Sequence, residues 1–221
     1  MLDGATPGGV TEPPLHEEIV NAMTHGFGFV LSLLGTATIV SAARSIDTRL
    51  AIACGVYAST LLVVYAVSTL SHVVQRSRPK HLLRAWDQGV IYFLIAGTYT
   101  PFACLLSSSY ARWTVLAAIW GFALAGFLSK VVMQHRIVAF RAYSYVLLGW
   151  VPALTMMHRV SLTCLAWVLL GGVIYTVGTL FLALDRRFRF FHATWHLFVV
   201  AGSACHYYAI LTFIVFQQVP A

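Results

Sequence analysis

Phe191-His192-Ala193-Thr194-Trp195-His196-Leu197 opens the last of seven apolar runs in this chain and sets two imidazoles one helical turn apart where that run begins. Six further runs precede it, so that the spans read 19–43, 50–74, 86–107, 113–133, 138–157, 161–183 and 192–216. Each is close to the roughly 20 residues that carry a helix across a bilayer core. With 59% hydrophobic and 10% charged residues and a mean hydropathy of +0.80, the chain falls outside soluble composition. The fold class expected is an all-α integral membrane protein of seven transmembrane helices, with residues 1–15 as a flexible tail and 16–221 as one transmembrane domain.

The connections between runs are short, so neighbouring helices alternate in direction. With the N-terminus inside, ten bases fall on inner loops: Arg76, Arg78, Lys80, Arg84, Lys130, Arg136, Arg141, Arg186, Arg187 and Arg189. Only Arg44, Arg49, Arg112 and Arg159 remain outside. Loop bases accumulate on the cytoplasmic side, so the N-terminus is expected in the cytoplasm and the C-terminus outside. These clusters are topology determinants, and no nucleic-acid partner is expected. The tail lacks the basic start and apolar core of a cleavable signal, and the first run is expected to stay as an anchor. A retinal protein needs a lysine deep in a span; Lys80 and Lys130 read as loop or loop-edge residues, so no retinal is expected.

Ionisable groups inside a span cost roughly 2.5–3.5 kcal/mol at its centre and therefore tend to face the bundle interior and to serve function. Alternating direction places several of them at one level. Ser68 and His72 lie near the inner end of the second span, four residues apart on one face. Asp87 starts the third span, and His192 and His196 occupy the first turns of the seventh. Glu18, Asn21 and His25, spaced i, i+3, i+7, line one face of the first span from the same end and are further cavity candidates.

Histidines at i and i+4 project from one helix face and can share a divalent ion, and His72 would complete a three-histidine set. With an open fourth position such a zinc site acidifies water at neutral pH. Asp87 could then hold or deprotonate that water, and Ser68 could hydrogen-bond it or a substrate carbonyl. Blander readings stand beside these. The histidine pair could bond headgroups or nearby carbonyls, Ser68 could bond its own i−4 carbonyl, and Asp87 could cap the third helix. His206 is about 15 Å beyond His196 and reads as a satisfied interior histidine or a cavity liner. His16, His81, His135 and His158 read as interfacial or solvated. The four cysteines, one each in separate runs, read as packing residues, and Pro101 and Pro152 as helix kinks.

Asn21-Ala22-Met23-Thr24-His25-Gly26, Ser68-Thr69-Leu70-Ser71-His72, Ala96-Gly97-Thr98-Tyr99-Thr100-Pro101-Phe102 and His192-Ala193-Thr194-Trp195-His196-Leu197-Phe198 together resemble the hemolysin III family. That family is grouped with the progestin and adipoQ receptors and, more distantly, the alkaline ceramidases. The resemblance implies Zn2+ near the cytoplasmic face, bound by His72, His192 and His196, with Ser68 and Asp87 on the family's serine and aspartate positions. Ser71 and Gln88 depart from it, where many members carry tyrosine and histidine. Zinc-dependent hydrolysis of a lipid amide or ester in the inner (plasma) membrane is the function expected. A membrane-homeostasis regulator or receptor with structural zinc is the alternative. A pore-forming cytolysin is the third reading, poorly supported by a chain with no soluble form or long amphipathic segment. Membrane lipids are the expected partners, and a homo-oligomer is left open.

Overall fold

The computed structural model describes residues 13–132, 142–156 and 159–218. His135, His158, Arg136, Arg141 and most of the expected tail lie outside the described residues. Seven α-helices follow in order: α1 Leu15–Arg44, α2 Thr48–Val73, α3 Ser77–Ala103, α4 Ser109–Val131, α5 Ala142–Met156, α6 Leu162–Leu184 and α7 Phe191–Ala209. A π-helical turn over Ile210–Val215 continues α7. There is no strand among the described residues.

Five helices are long and apolar enough to cross a membrane: Leu15–Arg44, Thr48–Val73, Ser109–Val131, Leu162–Leu184 and Phe191–Val215. The third helix is less apolar because Arg78, Lys80, Arg84, Asp87 and Gln88 fill its first half. The fifth is described over only 15 residues. Side-chain caps mark where the apolar runs start. Asp47 Oδ2 accepts from Leu50 N at 3.1 Å, and Ser161 Oγ from Cys164 N at 3.2 Å, each relieving an orphan amide of a helix start.

The first helix shows how a bilayer inverts the usual pattern. Glu18, Asn21, His25, Gly28 and Ser32 are buried against the other helices, while Met23, Phe27 and Leu34 are 68%, 61% and 66% exposed. Lipid solvates the apolar face, and the polar face must find partners within the protein. Sequence neighbours pack pairwise, and α7 returns against α1. Close approach is set by small residues. A Cβ on Gly97 of α3 would stand 2.3 Å from Thr60 Oγ1 of α2, and one on Gly178 of α6 would stand 2.7 Å from Phe198 Cβ of α7.

Two expectations are corrected. The third helix starts at Ser77, nine residues before the expected 86, because the amphipathic segment Arg78–Ala85 is helical although not apolar. Lys80 is therefore a helical residue with 1% exposure, not a loop charge, and it stays buried because it meets a carboxylate. Asp87 lies well inside α3 rather than at its start, so it does not cap the helix.

Candidate metal centre

The start of α1, the end of α2, the first half of α3 and the start of α7 meet at one end of the bundle. The imidazoles of His72, His192 and His196 converge there, each offering one nitrogen within 4.8 Å of the others. Ring centroids are 5.1 Å apart for His72–His192 and His72–His196, and 4.6 Å apart for His192–His196. His72 and His196 are buried, whereas His192 is 27% exposed. The second and seventh helices thus bring together three residues far apart in sequence.

The other nitrogen of each ring is held from outside the cluster. His72 Nδ1 is 2.6 Å from Glu18 Oε2, and His192 Nδ1 is 2.9 Å from Asp185 Oδ2. An ionised carboxylate only accepts hydrogen bonds, so both rings carry their proton on Nδ1. His196 Nδ1 lies 3.1 Å from the Asn21 carbonyl oxygen and 3.0 Å from Thr24 Oγ1. Thr24 already donates its hydroxyl hydrogen to that same carbonyl, at 2.8 Å, so both oxygens accept from His196 Nδ1. The same tautomer is imposed on all three rings, leaving each Nε2 lone pair available. His72 Nε2 and His192 Nε2 are buried and have no hydrogen-bond partner. Two unpartnered imidazole nitrogens would normally cost stability; together with the fixed tautomers, they fit a metal-ligand set.

Glu18 is nearly inaccessible, at 1% exposure. Its Oε1 also takes Arg84 Nη2 at 2.7 Å and Lys80 Nζ at 3.2 Å, while Lys80 Nζ donates to Gln75 Oε1 at 2.8 Å. One carboxylate therefore links α1, α2 and α3. Its role as a partner of His72 was not apparent from the sequence, where Lys80 and Arg84 looked like topology charges. Asp185 was missed as well. It sits just past α6, and only the turn that follows brings it back to His192.

Asp87 is partly buried, and its carboxyl faces the Ser68 and Ser71 hydroxyls and the His72 and His192 rings. It lies outside the three-nitrogen cluster. Ser68 Oγ is fully buried beside the Asp87 carboxyl and does not bond its own helix; Ser71 does, donating to the Ser68 carbonyl at 2.9 Å. His25 stacks on His196 at 3.6 Å between centroids and meets Tyr65 edge-on, with both ring nitrogens unpartnered. Asn21 serves the site through its backbone carbonyl, and its side-chain Oδ1 has no partner.

A cavity of about 780 Å³, counting its open side, runs between α3, α5, α6 and α7. Leu94, Tyr99, Trp150, Tyr175, Trp195 and His206 contribute to its mainly apolar wall. His206 lines the cavity and is only half satisfied: its Nε2 donates to the Val168 carbonyl at 3.0 Å, while its buried Nδ1 has no hydrogen-bond partner. His16 packs on the ring of Phe190, and His81 is exposed.

A family model described as "Haemolysin-III related" matches residues 14–207. The chain is 36% identical over 203 residues to Hemolysin-3 of Bacillus cereus, covering 90% of this chain and 92% of that protein. It is 32% identical over 205 residues to the Hemolysin-3 homolog of Bacillus subtilis (strain 168), covering 91% and 96%. It is 31% identical over 219 residues to the human Monocyte to macrophage differentiation factor, covering 95% and 90%. The likeness runs nearly end to end in each case, and with these membrane-length helices the chain belongs to the hemolysin III family as a multi-pass membrane protein.

Proposed function

We propose that this protein is a zinc-dependent hydrolase of lipid amides or esters, with its metal held by His72, His192 and His196 near the cytoplasmic face. The observation that carries this reading is the common tautomer of the three rings, which leaves each Nε2 lone pair available in rings that offer one nitrogen apiece within 4.8 Å of one another. Zinc bound there supplies Lewis-acid polarisation of a carbonyl and acidification of a water at neutral pH. Asp87, facing the same space, orients the attacking water and accepts its proton. Ser68, whose buried hydroxyl faces Asp87 and does not bond its own helix, donates a hydrogen bond to the substrate carbonyl. Glu18 and Asp185 keep their imidazoles oriented and basic. The apolar cavity shares Trp195 and Val199 with the helix that carries His196, which suits an acyl chain beside the reacting carbonyl.

Seven spans in the inner (plasma) membrane complete the reading, with the cytoplasmic N-terminus resting on the bias of basic residues towards one side. Metal analysis of the purified protein, alongside a screen of lipid amides and esters, tests it. Asp87→Asn is expected to keep its zinc and lose turnover by about 10²–10⁴-fold, the usual contribution of a positioned acid or base. Full zinc occupancy in a variant lacking His72, His192 and His196 overturns the metal assignment.

A second reading is a non-enzymatic regulator or receptor with structural zinc. It is favoured by the way the cluster ties α2 to α7 and, through Glu18 and Asn21, to α1. On that reading Asp87→Asn leaves function intact, and loss of the histidines destabilises the fold.

A further inference from the structure

The six residues between α6 and α7 form the most strongly basic and aromatic connection described: Asp185-Arg186-Arg187-Phe188-Arg189-Phe190, followed by Phe191. Two membrane-length helices flank it, so it sits at a membrane surface. It is a structured turn, with Arg187 N and Phe188 N donating to the Leu184 carbonyl at 2.9 and 3.2 Å. The turn ends at Phe190, whose φ of 60° places a bulky non-glycine residue in the left-handed region. That conformation is unfavourable, so the surrounding contacts hold it. Phe190 packs on the His16 ring at 5.8 Å, and Arg189 donates to His16 Nε2 at 2.6 Å and reaches Glu17 Oε1 at 3.3 Å.

With Arg189 anchored to α1, the rest of the strap is turned outward. Phe188 is 47% exposed, and Arg186 and Arg187 are exposed. Neither arginine forms an ion pair among the described residues; Arg187 lies over the Phe188 ring at 5.8 Å. The nearby carboxylates are already engaged, Asp185 with His192 and Glu17 with Arg189. Two free guanidiniums beside an exposed aromatic ring, at the rim of a bilayer, match a phosphodiester next to the glycerol–acyl boundary. Guanidinium forks pair bidentately with phosphate, and aromatic rings favour the headgroup level.

We propose that this strap is a docking surface for anionic phospholipid headgroups. Arg186 and Arg187 bind the phosphates, Phe188 inserts at the headgroup boundary, and Arg189 and Phe190 fix the strap to the start of α1. This inference is independent of the metal and of the reaction proposed above.

The test is a titration of detergent-solubilised full-length protein with phosphatidylglycerol, read by native mass spectrometry, with phosphatidylcholine as reference. Tight, salt-sensitive binding of phosphatidylglycerol over phosphatidylcholine is expected. Arg186→Gln/Arg187→Gln should weaken it about 25-fold, from about fivefold per basic residue near an anionic surface. Arg76→Gln/Arg78→Gln, at another connection, should weaken it less than threefold. Thermal unfolding of the strap variant should match that of the parent, because the replaced groups are exposed. Equal losses in the two double variants would show diffuse surface charge and overturn the proposal. So would an affinity of the parent that is indifferent to salt, or displacement of the lipid by millimolar inorganic phosphate.

Discussion

Replacing Glu18 by Gln removes one negative charge and leaves three donors facing a neutral amide. The amide keeps one acceptor oxygen, so either His72 Nδ1 loses its 2.6 Å acceptor or Lys80 Nζ and Arg84 Nη2 lose theirs at 3.2 and 2.7 Å, and both cations lose the opposing charge in either case. These losses differ in weight. Arg84 is 32% exposed and can turn to water, so its share is the few tenths typical of an exposed pair. Lys80 is 1% exposed and cannot, and breaking one side of a buried ion pair costs about 3–5 kcal/mol. Gln75 Oε1, which also accepts from Lys80 Nζ, sets the expectation at the lower end, about 3 kcal/mol. His72 also loses the carboxylate that fixes its tautomer, a change that typically weakens metal binding 10–100-fold. The assay is thermal or denaturant unfolding of purified protein without added metal, together with zinc competition against a chelator. Lys80→Met in the Glu18→Gln background should restore part of the stability, since it removes the buried ammonium that has lost this carboxylate. Zinc affinity should stay low in both variants. If Glu18→Gln unfolds within about 0.5 kcal/mol of the parent and keeps its zinc affinity, the account of this buried carboxylate is wrong.

Asp185→Asn tests the other histidine–carboxylate pair in a more exposed setting, with side chains 27% and 24% accessible. Stability should fall by less than about 1 kcal/mol, while zinc affinity, read by the same competition, falls 10–100-fold. Gly97→Ala separates packing from chemistry, because its Cβ would meet Thr60 Oγ1 at 2.3 Å and Thr60 Cγ2 at 2.8 Å. Unfolding should show a loss of about 1–3 kcal/mol, partly recovered by Thr60→Ala, with zinc affinity of the folded fraction unchanged. His25→Phe keeps the stack on His196 and removes two buried nitrogens without partners. Stability should be unchanged or rise by up to about 1 kcal/mol, and a clear loss would mean that those nitrogens hold water or ligand.

The inward face of α1 was legible because Glu18, Asn21 and His25 follow the helical repeat and lipid leaves such groups no other side to face. The convergence of His72 with His192 and His196 was legible for a related reason: short connections force alternation, and alternation equalises depth. What stayed hidden depended on partners rather than on period. The segment Arg78–Ala85 has the composition of a loop in a hydropathy plot, yet its helix delivers Lys80 and Arg84 to Glu18. Ser68 and Ser71 are indistinguishable by type and neighbourhood, and only packing shows that Ser71 bonds its own helix while Ser68 does not. Asp185 meets His192 through a turn containing a left-handed phenylalanine, a conformation that no residue preference announces.

The three carboxylates around the cluster are not interchangeable, and their surroundings assign them different work. The chain has only seven acidic residues against 14 basic ones; four of the seven, Glu17, Glu18, Asp87 and Asp185, lie at this one end of the bundle, and three of them surround the cluster. Glu18 has both oxygens occupied, one by His72 and the other by two cations. A proton placed on it would break the ion pair of the buried Lys80 ammonium, so it is a poor base and a strong orienting group. Asp185 is likewise committed through Oδ2 to His192. Asp87 forms no ion pair with lysine or arginine among the described residues, and its neighbours are hydroxyls and imidazoles. Of the three, it alone can gain and release a proton without freeing a paired cation or a histidine of the cluster. In the proposed reaction the proton acceptor is therefore Asp87, and a variant that exchanges these tasks, Asp87→Asn with Glu18 intact, should lose turnover while keeping both zinc and stability.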